Sequence, residues 1–217
     1  MRLHLDNNDV RKIATGCLVI GITEDGKLGP SAKAIDDASG GVIGTMIGNG
    51  DIQTKPGKTT LLHRLPGVEA GRVLAVGLGK AEKLTLARFN RACLAAAKLL
   101  RDHPVRHCHV CIHEVRIEGV DAASMLRQAA LALHQGNYLY TVTKQLKDDA
   151  PVPLENASFH ADPDLQPAID EAGGIALGFE KAKMLGDLPP NICNPSYLAQ
   201  EAGAIAEAYA NVELEIL

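Results

Sequence analysis

Arg72-Val-Leu-Ala-Val-Gly-Leu78 is a continuous apolar run with turn residues before it, and the hydrophobic period changes shortly after it. From Leu84 onward, Leu86, Phe89, Cys93, Ala97 and Leu100 recur at three- and four-residue intervals. The first segment reads as a buried strand and the second as a helix with one buried stripe. A further strand is predicted over 105–113. Asp121 then stands at an N-cap position ahead of Ala122, Met125, Ala129 and Leu133, a second helical stripe that Gly136 is expected to end. Strand, helix, strand, helix implies an α/β fold with a largely parallel sheet flanked by helices.

Toward the amino terminus, Lys58-Thr-Thr-Leu-Leu-His-Arg-Leu65 is separated from the deciding run by Pro66-Gly67 and reads as its neighbouring strand. Thr15-Gly-Cys-Leu-Val-Ile-Gly-Ile22 reads as another buried strand. A helix is expected from Pro30 to about Ile47, weakened at Gly40-Gly41 and Gly44. Toward the carboxyl terminus the chain turns polar and proline-rich, so residues 151–167 are expected to be a linker after a domain over 1–150. Beyond it, Ala168, Ala172, Ile175, Phe179, Ala182 and Leu185 predict an amphipathic helix that Pro189-Pro190 stops. Leu198, Ala202, Ile205 and Tyr209 predict a second helix starting near Pro195. Asn211-Val-Glu-Leu-Glu-Ile-Leu217 alternates like a half-buried strand. Residues 168–217 therefore read as the truncated start of a second α/β domain.

Composition bounds the function classes. Of 217 residues, 46% are hydrophobic and 22% charged, as in soluble globular proteins. The charge is uneven: residues 1–150 hold 20 basic and 15 acidic side chains, whereas 151–217 hold 2 and 11. No run approaches the ~18 apolar residues of a membrane span, and the charged start MRLHLDNNDVRK lacks a signal peptide's apolar core. A cytoplasmic protein with no membrane partner is expected. Cys17, Cys93, Cys108, Cys111 and Cys193 are odd in number and mostly embedded in apolar sequence, which favours reduced thiols over disulfides.

The densest set of potential ligands is His103-Pro-Val-Arg-His-Cys-His-Val-Cys-Ile-His113. In a strand, Cys108 and Cys111 would point to opposite faces and could not share a tetrahedral zinc. His107, His109, Cys111 and His113 would share one face at roughly 6–7 Å spacing, too far apart for a compact site. A half-buried strand is the expected reading. Gly77-Leu-Gly-Lys80 follows a strand but matches neither GxxxxGK[ST] nor GxGxxG, so a tight turn is expected rather than a phosphate cradle. Ser39, Ser124 and Ser196 lack a nucleophile-elbow pattern. Asp36-Asp37, Asp148-Asp149, Glu213 and Glu215 read as solvated acids. Lys55, Lys58, Arg64, Arg72, Lys80 and Lys83 form a modest basic excess without interleaved aromatics, the one feature that could attract nucleic acid.

Three stretches resemble the leucyl aminopeptidase family. Gly57-Lys-Thr-Thr-Leu-Leu-His-Arg-Leu-Pro-Gly67 running into Arg72-Val-Leu-Ala-Val-Gly-Leu-Gly-Lys80 is similar to its strand pair and GLG turn. Gly136-Asn-Tyr-Leu-Tyr140 with Lys144 is similar to its glycine, aromatic pair and lysine. Leu188-Pro-Pro-Asn-Ile-Cys-Asn-Pro-Ser-Tyr-Leu-Ala199 is similar to its PPN-x-x-x-P-x-x-L-A signature, with Leu188 where Thr or Ser is usual and Asp187 where Asn is usual.

The resemblance implies a macro-like amino-terminal domain followed by the start of a metallopeptidase domain that removes amino-terminal residues, often Leu, from peptides. It implies two divalent ions, Mn or Zn, in the parent enzyme, and assembly as a homo-hexamer. The family's metal-binding and catalytic residues match no position in 1–217. No catalytic, cofactor-binding or metal residue is therefore carried over, and this chain alone is expected to be inactive, with a role in assembly and in access to the active site. The rival expectation is a DNA- or nucleotide-binding macro-like module without peptidase activity.

Overall fold

The computed structural model describes residues 1–144 and 150–216. Six strands, β1 (Arg2–Leu5), β2 (Cys17–Thr23), β3 (Thr59–His63), β4 (Arg72–Gly79), β5 (His107–Val110) and β6 (Asn156–Phe159), form one sheet in the order β1-β6-β5-β2-β4-β3. Every neighbouring pair is parallel except β3 with β4, which is antiparallel. The helices are α1 (Pro30–Ala38), α2 (Val42–Asn49), α3 (Leu86–Arg101), α4 (Ala122–Asn137), α5 (Gln166–Asp187) and α6 (Pro195–Ala208).

Alternation along β2 shows why the sheet is covered on both sides. Cys17 and Val19 enter an apolar cluster with Phe89, Cys93 and Leu100 of α3 and Leu126 and Leu133 of α4. Leu18 and Ile20 enter the opposite cluster with Ile35 of α1 and Ile43 of α2. A parallel strand buried on both faces must be apolar throughout, and this is why the runs of β2 and β4 lack a polar face. The expected mixed, largely parallel sheet is observed.

Several elements depart from the sequence expectation. The helix expected over Pro30–Ile47 is two helices, because Gly40 and Gly41 adopt left-handed conformations at φ 74° and 80°. Asp36 accepts a hydrogen bond from the Gly44 amide at 3.0 Å, so it helps fix the start of α2 instead of merely facing solvent. Gly136 does not end α4. It lies inside the helix, where a Cβ would stand 2.5 Å from the Ala97 Cβ, so the glycine permits close packing of α3 on α4. Asp121 does cap α4, accepting from the Ser124 amide at 2.6 Å.

Residues 151–167, expected to be a linker, contribute β6, which pairs with β1 on one side and β5 on the other. Its short apolar content, Ala157 and Phe159 buried with Leu154 just ahead, is masked in the sequence by flanking prolines and acids. The amino-terminal segment Arg2–Leu5, not read as a strand, completes the edge. The Asp148-Asp149 pair lies outside the described residues.

Helix α5 is observed as expected, but only its first half is well covered. Ala168, Ile169, Ala172 and Ala176 are buried, whereas Leu177 is 62% exposed and Phe179 47%. Helix α6 buries no residue, and an ion pair from Lys181 to Glu201 ties it to α5. The strand expected at 211–217 is not formed over 212–216; no described strand pairs with it, and a ladder needs a neighbour. Glu213 and Glu215 are exposed.

Candidate functional site

The histidine-rich segment is more deeply buried than expected. Strand β5 ends at Val110, and Ile112–Glu114 form a 3-10 turn, so His113 is not on the strand. Residues 108–113 are all buried, not half-buried, because β5 is an interior strand covered on both faces. As alternation requires, Cys108 joins one apolar cluster and Cys111 the other. Burial pushes both thiols well up, which keeps them protonated and poor as ligands.

The four histidines scatter. His103 Nδ1 lies 2.8 Å from the Leu99 carbonyl and His107 Nδ1 2.9 Å from Asn156 Nδ2. His109 Nδ1 lies 2.8 Å from Ser158 Oγ, and His113 Nε2 lies 3.1 Å from the His160 carbonyl. His109 meets His160, 51 positions away, in an edge-on contact with ring centroids 5.5 Å apart, a pairing that no local sequence pattern signals. Desolvation depresses His109 and His113 to about 4, so both rings are neutral at physiological pH. Among the described residues no group of three or more His, Cys, Asp or Glu is placed to hold a metal.

Gly77 and Gly79, expected in a tight turn, lie within β4 and serve packing. A Cβ on Gly77 would lie 2.3 Å from the Lys55 carbonyl oxygen, and Gly79, at φ 78°, faces the Pro56 ring. Their amides donate to Lys58 and Thr54 carbonyls at 2.7 and 2.9 Å, so neither remains free for a phosphate. A parallel open sheet usually binds ligands where its connections diverge, here between the carboxyl ends of β2 and β5. A cavity of about 340 Å³ lies there, but the amide of Ser31 at the start of α1 already donates to Glu114 Oε2 at 2.8 Å. The Ser31 hydroxyl bonds the same carboxylate. An internal carboxylate therefore occupies the helix end that would receive a nucleotide phosphate.

The remaining candidates separate in space. Ser39 Oγ donates to the Asp36 carbonyl at 3.0 Å, Ser124 sits beside Arg127, and Ser196 is exposed on α6; none bonds a histidine. The basic run divides between the two ends of the β3–β4 pair: the His63–Arg72 register puts Arg64 and Arg72 at one end, with Lys58 and Lys80 at the other. Near Lys80 and Lys83 the structure adds Arg88 and Arg91 in a single cavity, a grouping the sequence reading missed. Their spacing from turn into helix was the available signal.

The family-like stretches also have structural duties. Asn137 brackets the backbone of Leu154, accepting from its amide at 2.6 Å and donating to its carbonyl at 3.0 Å. Tyr138 donates to Asp187 at 2.9 Å, linking the end of α4 to the end of α5, and this tyrosine is raised to about 12 chiefly by desolvation. Pro189-Pro190 closes α5, and Asn194 caps α6 by accepting from the Tyr197 amide at 3.0 Å.

Residues 19–147 match the model of the cytosol aminopeptidase family, N-terminal domain. The chain belongs to the cytosol aminopeptidase family. A probable cytosol aminopeptidase of Stenotrophomonas maltophilia is 41% identical over 206 residues, covering 94% of this chain and 41% of the relative. One from Xylella fastidiosa is 35% identical over 222 residues, covering 100% of this chain and 44% of the relative. The chain thus spans about two fifths of the length of these curated relatives. A tomato leucine aminopeptidase mutant shares the fold at a TM-score of 0.75 with 23% identity, over 98% of this chain and 43% of its own. A bottromycin maturation enzyme in complex with Mn does so at 0.68 with 22% identity, over 90% of this chain and 37% of its own. Within the cytosol aminopeptidase family, then, this chain corresponds to the amino-terminal portion. The rival reading, a DNA- or nucleotide-binding macro-like module without peptidase activity, is not favoured.

Proposed function

We propose that this chain is the amino-terminal part of a metal-dependent aminopeptidase that hydrolyses amino-terminal residues from peptides, with the two divalent ions and the catalytic side chains held elsewhere in the whole protein. The observation that carries this reading is the match along nearly the whole chain to relatives more than twice as long. The donor chemistry agrees with it: the buried thiols are protonated, and the histidines lie apart or in a core. The amino-terminal domain extends past position 150 to include β6, and α5 and α6 lead into the catalytic domain. The second half of α5 and the whole of α6, with Leu177, Phe179, Leu198 and Ile205 at the surface, form the face on which that domain packs. The role of this portion is to support assembly as a cytoplasmic homo-hexamer and access to the active site. No helix among the described residues is long and apolar enough to cross a membrane.

Calorimetric titration of the 217-residue chain with Mn²⁺ or Zn²⁺ tests the location of the ions. The expected result is no stoichiometric binding. Saturable uptake of two ions per chain, abolished by His109→Asn or Cys111→Ser, would place a metal centre in this portion and overturn the proposal.

A further inference from the structure

A cavity of about 460 Å³ lies outside the carboxyl ends of β2 and β4. Its walls carry Lys80 and Lys83 from the turn after β4, and Arg88 and Arg91 from the first turns of α3. Among the described residues Glu24 is the single acid in the lining, with Glu82 exposed nearby on the same turn as Lys83. Among the described residues none of the four cations forms an ion pair within 4 Å. One is pre-positioned: Arg88 Nη1 donates to the Lys83 carbonyl at 2.7 Å, which holds a guanidinium at the cavity wall.

Four like charges converging on one concavity repel each other, and the repulsion is relieved only by salt or by an anion that reaches several of them. The backbone amides at this end of the sheet are already engaged, Glu24 with Gly79 and Gly57 with Gly77, so side chains would do the binding. Among the described residues no aromatic lines the cavity, so none offers a face on which a base could stack. Four cations surround one basin; Lys55 and Lys58 flank its lining residues Pro56 and Gly57 in the chain, while Arg64 and Arg72 lie at the far end of β3–β4. A compact, multiply charged anion fits these features better than a nucleic-acid backbone. We infer that Lys80, Lys83, Arg88 and Arg91 form a site for a small polyphosphate anion.

Isothermal titration of the 217-residue chain at low salt, with sodium triphosphate and inorganic phosphate as separate probes, tests the site. Triphosphate should bind, should weaken as salt is added, and should bind about tenfold or more tighter than phosphate, since the extra charges reach more cations. The double variant Lys83→Gln/Arg91→Gln removes no side-chain hydrogen bond among the described residues and should weaken triphosphate by about tenfold or more with unchanged thermal melting. Arg64→Gln/Arg72→Gln, at the other end of the strands, should bind as the parent does. Absence of triphosphate binding, or binding unchanged in Lys83→Gln/Arg91→Gln, would overturn the assignment. So would duplex DNA binding tighter than triphosphate and lost in the same variant, which would make the surface a nucleic-acid site.

Discussion

Gly77→Val should leave the chain unable to fold stably. The new Cβ would fall 2.3 Å from the Lys55 carbonyl oxygen, 2.7 Å from that of Gln53 and 2.7 Å from the Thr54 carbonyl carbon. All three are backbone atoms, so no side chain can swing away to make room. Moving the 53–57 segment would break the Gly57–Gly77 and Gly79–Thr54 backbone hydrogen bonds at 2.9 Å each. The strand itself is inflexible at this point, because β4 is buried between β2 and β3. Overpacking plus lost hydrogen bonds should cost about 4 kcal/mol or more, a large share of the stability of a domain this size. Gly48→Ala in α2 is the contrasting case. Nothing lies within 4 Å of its Cβ position, so a stabilisation of about 0.5–1 kcal/mol is expected. Urea unfolding followed by circular dichroism checks both; a parental midpoint for Gly77→Val would refute the packing role given to this glycine of β4.

Acidification from pH 6.5 to 4 should remove much of the remaining stability, and buried imidazoles should be the main cause. His109 and His113 have an ordinary value of 6.5 when unfolded and about 4 when folded. Between those values the unfolded chain binds more protons than the native one, so stability is full above pH 6.5 and falls as pH drops toward 4. Below about 4 both states are protonated and these two groups cause no further loss. Each contributes up to about 3 kcal/mol. The ring nitrogens His109 Nε2 and His113 Nδ1 have no hydrogen-bond partner among the described residues, so a proton placed there would be unsolvated. Around His109 the nearby titratable groups are His160, His113 and His4, which oppose its charging, and Asp6, which favours it. The carboxylates held low, Asp9 and Asp25 at about 2, act in a lower window, as pH falls below about 4. Urea midpoints from pH 7.5 to 4 should therefore fall steeply for the parent. They should fall less for His109→Asn/His113→Gln, which starts from lower stability but carries no ring to protonate. An equal slope in the two proteins would remove the histidines as the cause.

What the sequence disclosed, and what it hid, follows from the range over which each signal acts. The stripe of Phe89, Cys93, Ala97 and Leu100 and the runs of β2 and β4 are local patterns that report burial directly, and the structure realises them. Strand β6 was hidden because four residues among prolines and acids carry too little pattern; its identity comes from the two strands that bracket it. Glycine at 136 suggests a helix end because glycine often has that use, whereas its reason is the Ala97 side chain on another helix. The extent and burial of the histidine-rich strand are hidden for a related reason. Alternation correctly separated Cys108 from Cys111, but it could not show that the strand stops at Val110 or that His160 arrives from β6's far end. The basic basin combines a turn with a helix, so charge counting along the chain found Lys80 and Lys83 without Arg88 and Arg91.

The central claim is that catalysis belongs to a part of the protein outside these 217 residues, and hydrolysis of a leucyl anilide by the purified chain tests it most directly. With added Mn²⁺ or Zn²⁺ and without either, the account predicts the same background rate. A metal-dependent rate that survives repurification, and that is lost on substituting His109 or His113, would contradict it.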